Sequence, residues 1–134
     1  MATYENDLRL KEITTGEEAG TWGTSTNTNL SLVAEAFSYG VENIGSDANA
    51  TITVADGSTD EARSLYLKIT STTLSATRTV TIAPQSLSKV WIIENATTGG
   101  QSLVITQGGG QHGVTIPSGQ VKVVYSTGDS ESPS

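Results

Sequence analysis

Between residues 48 and 127 apolar side chains recur at every second position in short runs, and no other feature constrains the fold of this chain as strongly. Ile52/Val54, Leu65/Leu67/Ile69, Val80/Ile82, Leu103/Ile105, Val114/Ile116 and Val121/Val123/Tyr125 each line one face of an extended strand. The period predicts strands over 50–55, 64–70, 77–83, 88–94, 102–107, 113–116 and 120–126. Turn formers fall between most of them: Asp56-Gly57, Gly99-Gly100, Gly108-Gly109-Gly110 and Pro117-Ser118-Gly119. A mainly β chain with this spacing fits a small antiparallel β-sandwich, jelly-roll-like in form. One run breaks the alternation. Val90-Trp91-Ile92-Ile93 is apolar on both faces, which places its strand at the centre of a sheet or under a second layer. No internal repeat of fixed period is evident.

The chain ahead of these strands divides in two. Residues 1–25 have no sustained period; Leu8, Leu10 and Ile13 alternate weakly, and a turn-rich stretch follows with three glycines around Trp22. An arm this polar orders only against something else. Residues 26–40 predict an amphipathic helix with Leu30, Val33, Ala34 and Phe37 at i, i+3, i+4 and i+7. Thr26 or Asn27 suits its N-cap and Gly40 its C-terminal stop. A helix of about 12 residues is marginal alone, so its stripe is expected to be buried by the sheet or by a neighbouring chain. The β domain spans 48–127, and 128–134 reads as a flexible tail or the start of a linker.

Composition narrows the chemistry. Of 134 residues, none is Cys and one is His, which removes thiolate chemistry and leaves little for a triad or a multi-His zinc site. Fourteen acidic against seven basic residues give a net charge of −7, a surface that repels phosphate backbones and argues against nucleic acid. No apolar run approaches the ~20 residues of a membrane span, and the polar, acidic start lacks the form of a signal peptide. Ser and Thr together number 37, a profile of strands and turns with uncharged polar faces suited to protein contact. The inventory points away from an enzyme, and no cofactor is expected.

Individual motifs have weak chemical readings. His112, in Gly108-Gly-Gly-Gln-His-Gly113, could bind a metal only together with symmetry mates, and a turn residue is the commoner case. Asp56-Gly-Ser-Thr-Asp-Glu61 gathers three carboxylates but lacks the EF-hand spacing. Glu17-Glu18 and Asp60-Glu61 raise the question of a glycosidase pair, yet adjacent acids in turns are normally solvated. Gly20-Thr-Trp-Gly23 is sharper. A Trp between glycines in a polar arm is built like an interface anchor, with Trp22 folding back on its own sheet as the alternative.

The segment Gly20-Thr-Trp-Gly-Thr-Ser-Thr-Asn-Thr-Asn-Leu30 is also where a family likeness shows. With the opening Met1-Ala-Thr-Tyr-Glu-Asn-Asp-Leu-Arg-Leu-Lys-Glu-Ile13 and the helix after it, it resembles the N-terminal region of tail fibre or appendage proteins of tailed bacteriophages, marine ones in particular. Lys89-Val-Trp-Ile-Ile-Glu-Asn-Ala-Thr97 and Val114-Thr-Ile-Pro-Ser-Gly119 resemble the β-rich part of the same proteins. The resemblance implies a virion protein, assembled in the bacterial host cytoplasm, that attaches a fibre to the tail. It also implies a homotrimer in contact with other tail proteins of the adaptor, nozzle or portal region. The expected interface residues are Gly20, Trp22, Gly23, Asn27, Asn29, Leu30, Val33, Phe37 and Trp91. A second reading is a capsid decoration or head-fibre protein, which differs in copy number and site.

Overall fold

The computed structural model describes residues 2–107 and 113–128; His112, the Gly108-Gly109-Gly110 turn and residues 129–134 of the expected tail lie outside the described residues. Every strand expected from the alternation forms, within a few residues at each end. These are β2 (Ala50–Thr53), β3 (Tyr66–Thr70), β4 (Arg78–Ala83), β5 (Ser88–Asn95), β6 (Leu103–Thr106), β7 (Val114–Ile116) and β8 (Val121–Thr127). A further strand, β1 (Tyr39–Asn43), occupies the end of the segment expected to be helical.

Pairing departs from the antiparallel, jelly-roll-like expectation. The protein is mainly β, and its described residues form one α-helix and two mixed sheets of four strands, ordered β1-β3-β5-β8 and β2-β4-β6-β7. Up to β6 the chain alternates between the sheets, and β1–β3, β3–β5, β2–β4 and β4–β6 all pair in parallel. Only β5–β8 and β6–β7 are antiparallel. Period-two patterning fixes which face a side chain takes and is silent on strand direction, which is why the sequence left this open. A parallel pair needs a long crossover, and here each crossover carries a strand of the other sheet. The windings are unequal: Ala50 aligns with Val80 and Val80 with Ile105, so stacking on this scale leaves no fixed period in the sequence.

Both sheets feed one core. Leu67, Ile69, Trp91, Ile93 and Val124 from the first sheet cluster with Ile52, Val80, Ile82, Leu103, Ile105 and Ile116 from the second. Full burial of each such side chain contributes about 1.5–3 kcal/mol. The doubly apolar run lies in β5, which sits between β3 and β8. Its Trp91 and Ile93 point inward, and Trp91 is sealed off completely, its indole Nε1 donating to the Ala62 carbonyl at 2.8 Å.

The helix, α1 (Trp22–Glu35), starts four residues before the expected boundary and stops earlier than expected. A turn at Glu18 starts it. The Glu18 carbonyl accepts from the Thr21 and Trp22 amides, and its carboxylate accepts from the Thr21 and Ser25 hydroxyls. Gly20, at φ +85°, makes the reversal without side-chain strain. Gly40 therefore terminates no helix. It lies in β1, where a Cβ would sit 2.5 Å from both Glu61 Oε2 and Ser64 Oγ.

The N-terminal arm is docked on its own body by polar contacts. Among its described residues it forms a single bridge, between Thr3 and Glu12, and no strand. Asn29 reaches from α1 to pair with Lys11, accepting from its amide at 3.0 Å and donating to its carbonyl at 2.9 Å. Gly57 N–H donates to the Arg9 carbonyl, the Arg9 guanidinium pairs with Asp56, and Ser88 N–H donates to Asp7.

Candidate interaction surface

The helical stripe found in the sequence exists and faces outward. Trp22, Leu30 and Phe37 are 64, 63 and 76% exposed, and Val33 is half-buried. The face α1 turns to the body is instead mixed, with Ser25, Asn29, Leu32 and Ala36 at i, i+4, i+7 and i+11, Leu32 being its one large apolar side chain. Burial of this helix is thus set by hydrogen bonds to the arm as much as by apolar area, and a search for apolar periodicity selects the wrong side. The expectation that its own sheet buries the stripe is not met. Phe37 lies beyond the last helical residue, two positions ahead of Tyr39, and joins the stripe to the first strand.

A second apolar surface covers the outer face of the sheet β1-β3-β5-β8. Register stacks Tyr39, Tyr66, Ile92 and Val123 in one row across the four strands, and Val41, Lys68, Glu94 and Val121 in the next. Val90 and Tyr125 form a third pair. Tyr39 and Tyr66 stack with ring centroids 5.5 Å apart. The Tyr66 hydroxyl donates to Glu94, which raises the tyrosine pKa above its ordinary value. Tyr39, Val41, Val90, Val121, Val123 and Tyr125 all remain exposed.

Of the residues expected at an interface, Trp22, Asn27, Leu30 and Phe37 are exposed. Gly23 lies in the first turn of α1, and Gly20 shapes the turn before it. Asn29 is engaged with the arm. Trp91 is corrected outright: it is a core residue, and its neighbours Val90 and Ile92 hold the outward positions of that strand.

Sequence reasoning missed the residue that ties the body to its N-terminal third. Arg63, in a 3₁₀ turn over Glu61–Arg63, is fully buried. Its Nε donates to the Leu8 carbonyl at 2.7 Å, Nη1 to the Ser58 carbonyl at 2.6 Å and Nη2 to the Ala55 carbonyl, with Glu35 at 3.4 Å from Nη1. Glu35 also accepts from Asp60 N–H at 2.7 Å. Nearby, Lys89 lies 4.8 Å over the Trp91 ring, and burial, reinforced by the charge of Arg63, pushes its pKa down to about 8. A lone Arg flanked by small residues carries no sequence signal of burial.

The acidic motifs are spent on structure. Asp60 caps the 3₁₀ turn through Ala62 N–H, Glu61 accepts from Val41 N–H on the edge strand, and Glu18 holds Lys11. Burial raises the pKa of Asp60, and burial with the charges of Asp60 and Glu61 raises that of Glu42. Among the described residues no three His, Cys, Asp or Glu converge as a metal site. A cavity of about 190 Å³ between arm and helix is lined by Tyr4, Lys11, Thr24, Ser25, Thr28 and Asn29, with Gly57 at its edge.

No family model, curated protein or solved structure matches this chain. The functional reading therefore rests on the surfaces themselves and on the sequence resemblance.

Proposed function

We propose that the chain is a non-catalytic structural protein of a bacteriophage virion. It acts as a tail fibre or appendage component, working as a homotrimer and attached to other tail proteins through its N-terminal region. One observation carries this reading: the helix that begins inside Gly20-Thr-Trp-Gly23 presents Trp22 and Leu30 to the outside, with Phe37 exposed just past its end, on a body with its own buried core. Large aromatic side chains held outward on a regular element serve as anchors for a partner's pocket. The docked polar arm supports the same reading, because it fixes the helix without covering its apolar stripe.

The experiment is to locate and count the chain in purified virions by gold-labelled antibody and quantitative mass spectrometry. A few copies confined to the tail are expected. Many copies spread over the shell would favour the capsid decoration alternative instead, and absence from the particle would overturn a virion role.

A further inference from the structure

The outer face of the sheet β1-β3-β5-β8 differs from the helix stripe in one respect: it carries a balanced pair of charges at its centre. Lys68 and Glu94 are register partners on the two inner strands, flanked on the same row by Val41 and Val121. Among the described residues Lys68 makes no ion pair, whereas Glu94 is turned toward the Tyr66 hydroxyl. In a chain of net charge −7 this face is neutral and mostly apolar, so a second copy meets little net repulsion there.

We propose that this face packs against the same face of a neighbouring copy, with Lys68 of each copy meeting Glu94 of the next. The pattern is self-complementary. The β1–β3 half carries the cation and the β5–β8 half the anion, so opposing the two halves of different copies matches both charge and apolar rows. Size agrees only if the helix stripe joins in. Four strands about 4.8 Å apart and about 20 Å long give roughly 400 Å², half of the ~800 Å² per partner of a standard interface. Phe37 is exposed two residues ahead of Tyr39 on the edge strand of this face, and Leu30 and Trp22 are exposed on the helix before it. The inference deepens the assembly part of the proposed function by naming the surface through which copies meet.

The test uses the purified full chain in sedimentation velocity, with Lys68→Glu and Glu94→Lys made separately. Each variant alone sets like charges face to face, and we expect its self-association Kd to rise at least tenfold, about 1.4 kcal/mol. The double variant Lys68→Glu/Glu94→Lys, which sets opposite charges at every contact again, should assemble to within about threefold of the unmodified chain. Val123→Lys, at an exposed position of β8, should fail to assemble while keeping its circular dichroism. The proposal is overturned if the unmodified chain stays monomeric to its solubility limit, as it would if another protein covered the face. It is also overturned if the single variants assemble normally or the double variant fails to recover. None of these outcomes bears on whether the chain is found in virions, which the particle count decides.

Discussion

Arg63 and Lys89 show how two cations are used inside an acidic protein. Arg63 is buried with its donors spread over three carbonyls and one carboxylate, so removing it strands acceptors as well as a charge. We expect Arg63→Met to cost at least about 3 kcal/mol in urea unfolding. Limited proteolysis of that variant should cut first in the N-terminal arm, which loses its anchor at Leu8. Lys89 has the opposite sign. Its folded pKa lies near 8, below the ordinary 10.5, so the unfolded chain holds the proton more tightly between those values. The unfavourable contribution is fully present below pH 8 and is relieved as pH rises above it. Stability should therefore climb between pH 8 and 9.5. In Lys89→Met, which keeps an apolar stem over Trp91, that climb should flatten. An equal climb in the variant would mean that another group is responsible.

At the scale of elements, strands were legible and the helix was half legible. Alternation such as Leu67/Ile69 or Val80/Ile82 marks a strand because one face must be dry, and those residues are the core. The first strand escaped because Tyr39 fell inside the segment expected to be helical and Gly40 read as its stop; the contact that needs glycine at 40 comes from Glu61 and Ser64, far along the chain. The helix was visible through Leu30, Val33 and Phe37, but its packing depends on Ser25 and Asn29, which no apolar period reveals. Trp22 stands out in the sequence, and the structure holds it exposed on a helix rather than in a loose arm. Because it is exposed, Trp22→Ala should change the urea midpoint by less than about 0.5 kcal/mol in stability. Virion incorporation of the same variant should fall severalfold. Normal incorporation would remove Trp22 from the docking surface.

For the whole molecule, sequence patterning supplied the strands but not the winding that carries the chain alternately through two sheets. That winding decides which residues become neighbours. It sets Tyr39 on Tyr66 on Ile92 on Val123 and so assembles one broad apolar face from residues scattered over most of the chain. The central claim is that this face and the helix stripe are covered by other subunits in the particle. Hydroxyl-radical footprinting of Trp22, Phe37, Tyr39 and Tyr125, in dilute free protein and in intact virions, tests it directly. The expected result is strong labelling of all four in the free chain and protection in the virion, with Trp91 unlabelled in both. Equal labelling of the four residues in the two states would contradict it.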